Sequence, residues 1–197
     1  MTRLEQQLAF LLEIDQLKHV LRRTRMLTRL GDEARFENTA EHSWHITLMA
    51  VVLAEHSNEA VDLWKVVKML LVHDLVEIDA GDTPAFGEQG DKEEVEARAA
   101  ERIFGILPED QEQEFLSLWR EFEARQTADS LYANAIDRLL PTFQNIRNAG
   151  GSWQDFAVTR AKANVRLCPI GDGSKALWGV VQGVLDEGER QGYFKKG

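Results

Sequence analysis

Apolar residues recur along this chain at helical spacing almost from end to end, and one such stripe is interrupted by an acid. Leu63, Val66, Val67, Leu70 and Leu71 follow the i, i+3, i+4, i+7, i+8 rule of a helix that buries one face. Asp74 takes the next position on that stripe, beside His73. An ionised carboxylate is seldom buried alone, because its desolvation costs several kcal/mol or more. A metal ion is a natural compensating charge. Glu77 follows one turn later, i+4 from His73 and i+3 from Asp74. Gly81-Asp82-Thr83-Pro84 then reads as the turn that stops the helix.

The same periodicity predicts helices near 3–28, 39–57, 60–80, 91–105, 109–125, 128–148, 152–166 and 174–192, and no stretch alternates cleanly enough for a strand. Asn38-Thr39 followed by Glu41 has the cap and early carboxylate of a helix start, and Pro108 with Glu109-Asp110 opens another. Gly150-Gly151 and Gly171-Asp172-Gly173 punctuate the last third. The acidic, glycine-containing stretch from Phe86 to Glu94 reads as the mobile loop. With no linker, repeat or low-complexity tract, residues 1–197 are expected to form one all-α domain.

Five histidines occur, and only two carry a case for chemistry. His42 opens its helix and shares a face with His45, Met49, Val52 and Leu53; alone it would read as a core histidine. Asp137 changes that. It lies at the edge of a buried stripe of Ala133, Ile136, Leu140 and Phe143. Three helices therefore each aim a His or an Asp inward: His42, His73-Asp74 and Asp137. Two imidazoles and two carboxylates make a mixed nitrogen and oxygen shell suited to a divalent ion such as Mn²⁺, Fe²⁺, Co²⁺ or Zn²⁺, with Mg²⁺ also a candidate. Such a shell leaves positions open for water and substrate, as hydrolysis requires. His45 is expected in packing, and His56 and His19 at the surface.

Charge and composition narrow the partner. A net charge of −10 and a pI near 5.0 argue against a nucleic-acid polymer, whose phosphates select basic surfaces. A small phosphate ester in a locally basic pocket remains open. Cys168 is the only cysteine, so there is neither an intrachain disulfide nor an all-cysteine zinc site, and a cytoplasmic setting fits. The longest apolar run, Leu48 to Ala54, falls far short of the ~20 residues that span a bilayer, so no membrane partner is expected. Lys18, Arg22, Arg25 and Arg29 recur at i, i+4, i+7 and i+11 and predict one basic helical face. Gly171-Asp172-Gly173-Ser174-Lys175-Ala176 fits a dinucleotide-binding pattern, but no strand–turn–helix unit surrounds it. A turn with Ser174 capping the last helix accounts for it.

The ordered set His42…His73-Asp74…Asp137 resembles the signature of the HD-domain metal-dependent phosphohydrolases, and more closely their 5′-deoxynucleotidase branch. That branch reads roughly LKxVxR, then EHS, then HDxxExxxGD, then a helix carrying D-R-L. Here these are Leu17-Lys18-His19-Val20-Leu21-Arg22, Glu41-His42-Ser43, His73 to Asp82, and Asp137-Arg138-Leu139. The dipeptide alone is weak; the ordered set is specific. The resemblance implies an HD-domain helical bundle of about seven to eight helices, with His42, His73, Asp74 and Asp137 holding a divalent metal. It implies Glu77 as the catalytic carboxylate, Arg22 as the substrate-binding arginine and Asp82 as the acid that contacts the sugar. Some relatives carry tryptophan at or near the position after that arginine. Here Arg23, Thr24 and Arg25 follow, a point where sugar discrimination can differ.

The activity implied is metal-dependent hydrolysis of (deoxy)nucleoside 5′-monophosphates to nucleoside and phosphate. Two alternatives stand beside it: a phosphodiesterase or pyrophosphohydrolase acting on a signalling nucleotide, and a non-enzymatic helical module whose buried His and Asp groups merely pair. The absence of a Gly-Tyr-Pro motif argues against the cyclic-dinucleotide branch. The resemblance also allows a homodimer, with Trp153, Phe156 and Trp178 of the late helices expected at the surface to serve it.

Overall fold

Most helices of this protein start on a side chain that accepts from the first turn. Thr2 and Glu5 form a reciprocal capping box on α1 (Arg3–Glu13), and Asn38 and Glu41 form another on α2 (Thr39–Val52). Asp62 caps α3 (Leu63–Val72), which is followed by a single turn, α4 (Glu77–Ala80). Then come α5 (Lys92–Phe104) and α6 (Glu109–Ala124), the latter opening after Pro108. Thr127 and Ser130 box the start of α7 (Ala128–Arg147). The chain ends with α8 (Ser152–Asp155), α9 (Arg160–Leu167), α10 (Ile170–Gly173) and α11 (Lys175–Arg190), the last capped by Ser174. The structure, a computed structural model, describes residues 1–27, 34–82 and 92–196. Among these, eight helices are eight residues or longer, and the fold is all-α apart from one small hairpin.

α7 is the axis. Twelve of its twenty residues are buried, and it packs against α2, α3, α6, α10 and α11. The Tyr132 hydroxyl donates to the Ala50 carbonyl at 2.9 Å, pinning α7 to α2. Pro141 leaves the Asp137 carbonyl without its intrahelical donor, and the Thr142 hydroxyl donates to the Arg138 carbonyl one residue further on.

Several expected helices are shorter than their periodicity suggested. The first ends at Glu13; a 3-10 turn over Ile14–His19 follows, and Leu21–Arg25 is a strand, β1, paired antiparallel with β2 (Phe36–Asn38). Lys18 on the 3-10 turn and Arg22 and Arg25 on β1 therefore do not share one helical face, and Arg29 lies outside the described residues. The helix expected over 60–80 breaks at His73–Val76, where amides reach carbonyls three residues back, as from Leu75 to Val72 and Glu77 to Asp74. The helix expected over 152–166 is interrupted between Asp155 and Arg160. Of the loop expected over Phe86 to Glu94, the last residues belong to α5 and the rest lies outside the described residues. Gly81 does end its helix, with φ +71; Thr83 and Pro84 lie outside the described residues.

Trp153 is 1% exposed rather than at the surface, because Phe194 from the C-terminal tail stacks on it with ring centroids 4.8 Å apart. Trp178 packs against the core, and of the three residues expected to face a partner only Phe156 is exposed. Trp44 and Trp64 are exposed. No described helix is long and apolar enough to cross a membrane.

Candidate metal centre

Three of the four predicted ligands converge where α2, α3 and α7 meet. One ligand atom from each of His42, His73 and Asp137 lies within 4.8 Å of the others. His42 comes from the first turn of α2, His73 caps the end of α3, and Asp137 lies mid-way along α7. Asp137 Oδ1 is 3.0 Å from His42 Nε2 and 3.8 Å from His73 Nε2. Asp74, the fourth, faces the same nitrogen of His73: its Oδ2 is 3.1 Å from His73 Nε2 and also accepts from Arg22 Nη1 at 2.7 Å.

The back side of each imidazole decides what its front can do. His42 Nδ1 is 3.2 Å from Glu37 Oε2, and His73 Nδ1 is 3.0 Å from the Leu70 carbonyl oxygen. Carboxylates and carbonyls only accept, so both Nδ1 atoms carry the proton and a neutral ring presents a bare lone pair at Nε2. Each Nε2 faces a carboxylate oxygen, which is also a lone pair. His73 Nε2 is buried and makes no hydrogen bond despite its nearness to Asp74. Lone pairs converging in a buried site call for a cation among them, either a second proton on each ring or a metal. Two imidazole nitrogens with carboxylate oxygens fit a divalent ion.

The electrostatics follow the same demand for positive charge. Burial alone would push the His73 imidazolium down, but Asp74 and Asp137 more than offset this and raise its pKa well above the ordinary 6.5. Burial opposes ionisation of Asp74, yet His73 and Arg22 hold it down at about 2. Asp137 is likewise held well below 3.8 against burial by its contacts with His42 and His73. Glu77 behaves oppositely. Burial and the neighbouring Asp74 push its carboxyl well above 4.5, with Arg22 only partly offsetting them.

A cavity of about 230 Å³ opens on the cluster, lined by Arg22, Asp74, Glu77, Asp82 and Asp137 among others. Arg22 Nη1 is 3.9 Å from Glu77 Oε1, and Thr39 Oγ1 donates to Glu77 Oε2 at 2.8 Å. All the sequence-predicted site residues except His42, which is fully buried, reach this cavity.

A family model for the HD domain matches residues 14–178. The chain belongs to the HD-domain family. It is 30% identical over 157 residues to the 5′-deoxynucleotidase HDDC2 of Bos taurus, across 76% of this chain and 73% of that one. To the 5′-deoxynucleotidase HDDC2 of Homo sapiens it is 29% identical, across 76% and 74%. Among solved structures it is similar to a predicted metal-dependent phosphohydrolase from Magnetospirillum magnetotacticum MS-1, with 49% identity, a TM-score of 0.92 and coverage of 98% and 96%.

Four contributors to this HD-domain site escaped the sequence reading. Glu37, 2% exposed, orients His42, and Gln144 Nε2 in turn donates to Glu37 Oε1 at 2.9 Å. Thr39 supports Glu77. Phe122 of α6 packs against the His73 ring, centroids 4.7 Å apart. Gln144 alone had a signal, lying i+7 from Asp137 on the same helical face.

Proposed function

We propose that this protein is a metal-dependent phosphomonoesterase that hydrolyses (deoxy)nucleoside 5′-monophosphates to nucleoside and phosphate. The observation that carries the reading is the pair of imidazoles turned by their Nδ1 partners so that both Nε2 lone pairs face carboxylates, beside a cavity that His73 shares with Glu77 and Arg22. The names of the relatives supply the substrate class. His42, His73, Asp74 and Asp137 would hold the ion, whose identity among Mn²⁺, Co²⁺, Fe²⁺, Zn²⁺ and Mg²⁺ is set by availability. A divalent ion there supplies Lewis acidity toward a phosphoryl oxygen and toward water.

The chain's own residues do the rest. Glu77, whose carboxyl is raised by burial and by Asp74, is a stronger base than an ordinary carboxylate and orients the attacking water. Arg22 neutralises charge on the phosphoryl oxygens. Asp82, bordering the same cavity, accepts from a sugar hydroxyl. The 197 residues act as one domain, in the cytoplasm. We also assign a second copy of the chain as partner, meeting the exposed apolar stripe of Trp44, Leu48, Val51 and Val52 on α2. Sedimentation of the wild type and of Trp44→Glu tests that: a monomeric wild type removes it.

The deciding experiment strips metal from the purified protein, restores single divalent ions, and measures phosphate release from every common deoxy- and ribonucleoside 5′-monophosphate. Metal-dependent release, stronger for the deoxy set, is expected. No release from any monophosphate by metal-loaded protein would sink the assignment, and signalling nucleotides would be the next panel.

A further inference from the structure

The cavity that opens on the acidic cluster is lined by arginines as well. Seven carboxylates border it, among them Asp74, Glu77, Asp82 and Asp137 of the site, and Arg22 is already engaged, donating to Asp74 at 2.7 Å. Four further arginines line the same cavity: Arg23, exposed on β1, Arg125 after α6, Arg138 on α7 and Arg166 on α9. Arg138 is 5% exposed and has no acidic partner among the described residues; its Nη1 donates to the Asn134 carbonyl and to Asn134 Oδ1, and its Nε is unpartnered. Arg166 is partly buried and makes no hydrogen bond or ion pair among the described residues. Arg125 has only a 3.9 Å contact with Glu123.

Guanidinium groups taken from water without an acid are costly, and they repel each other. Burial and mutual repulsion lower the pKa of both Arg138 and Arg166, with Asp137 as the main opposing influence. Elsewhere the partly buried arginines are paired, as Arg160 is with Asp186 and Arg25 with Asp155. Unpaired cations directed into a cavity are a site for an anion. A phosphate monoester dianion arriving beside these carboxylates needs more positive charge than Arg22 and one divalent ion provide. Arginine's planar fork matches phosphate oxygens in pairs.

We propose that Arg166 is a second phosphate-binding residue, contacting the phosphoryl oxygens of the substrate, with Arg138 behind it as a positioning residue. This rests on reading the cavity as a phosphate-ester site. Arg166→Gln removes the charge and the fork; Arg166→Lys keeps only the charge. Calorimetric titration of inorganic phosphate into metal-loaded protein should show affinity weakened about tenfold or more in Arg166→Gln and less in Arg166→Lys, with unchanged metal content. KM for a nucleoside monophosphate should rise in parallel, while kcat changes less.

Phosphate affinity equal to wild type in Arg166→Gln would overturn the proposal. Should that variant not fold, Arg166→Lys decides: weakened phosphate binding supports the assignment and unchanged binding overturns it. Arg166-dependent phosphate binding in a protein that hydrolyses no nucleotide would sustain this proposal and sink the proposed reaction. Nucleotide hydrolysis indifferent to Arg166→Gln would do the reverse.

Discussion

Glu37 stands directly behind His42, with its Oε2 3.2 Å from His42 Nδ1 and its Oε1 accepting from Gln144 at 2.9 Å. The carboxylate fixes the tautomer of the ring and the direction of its Nε2, which points at Asp137. Gln144 in turn comes from the helix that carries Asp137, so the support and the supported group share one rigid element.

Removing that support should loosen the metal without removing a ligand. Glu37→Ala is expected to weaken divalent-ion affinity by about 10- to 100-fold, measured by competition with a chelator. Glu37→Gln, whose amide oxygen still accepts from Nδ1, should lose less. Unchanged affinity in Glu37→Ala would show that His42 needs no orienting partner.

Glu77 sets function against stability. Burial and Asp74 raise its carboxyl pKa above the ordinary 4.5. A carboxyl raised on folding contributes stability that is full below 4.5 and is lost as pH rises through the folded value. In metal-free protein ionising Glu77 is therefore a burden, and Glu77→Gln removes it. The variant should melt higher than metal-free wild type at about pH 8, with the difference shrinking toward about pH 4. Its turnover should fall by about 100-fold or more with metal content intact. Turnover within a few-fold of wild type would end the catalytic role of Glu77.

What was legible in the sequence was local or ordered. Capping at Asn38–Glu41 and the start after Pro108 use contacts three residues apart, so they can be read from adjacent letters. His42, His73, Asp74 and Asp137 stand out because their order and neighbours form a motif, and the structure brings three of them into one cluster. Arg22 was placed on a helix because basic residues happened to recur at helical spacing. Its strand exists through pairing with Phe36–Asn38, a contact that periodicity does not encode. Glu37 was invisible for the same reason, since its partner Gln144 is 107 positions away. The break after His73 is a turn whose hydrogen bonds tighten from four residues back to three, a change that apolar spacing over so short a stretch does not reveal.

Gly173 tests the reading of its glycine-rich stretch as a turn. A Cβ there would lie 2.3 Å from the Leu131 carbonyl oxygen and 2.8 Å from Ala135 Cβ, both on α7 and unable to yield. The next residue, Ser174, accepts from Leu177 as the cap of α11. Gly173→Ala should cost about 1–3 kcal/mol and lower the melting temperature by roughly 2–12 °C. Gly183→Ala, on α11 with open space at its Cβ, should instead stabilise by about 0.5–1 kcal/mol. Equal melting of the two variants would mean that α10 does not need its close approach to α7.

Arg22 and Asp74 give the sharpest separation of substrate binding from metal binding. Arg22 Nη1 holds Asp74 Oδ2 at 2.7 Å, so a cation on that oxygen competes with the arginine. In Arg22→Met the carboxylate is freed and a positive neighbour is gone, and both changes favour a divalent ion. Metal affinity should hold or rise, while KM for a nucleoside monophosphate rises about tenfold or more through the lost phosphate contact. The opposite pattern, weakened metal with unchanged KM, would make Arg22 a support for Asp74 and leave the phosphate to the arginines of α7 and α9.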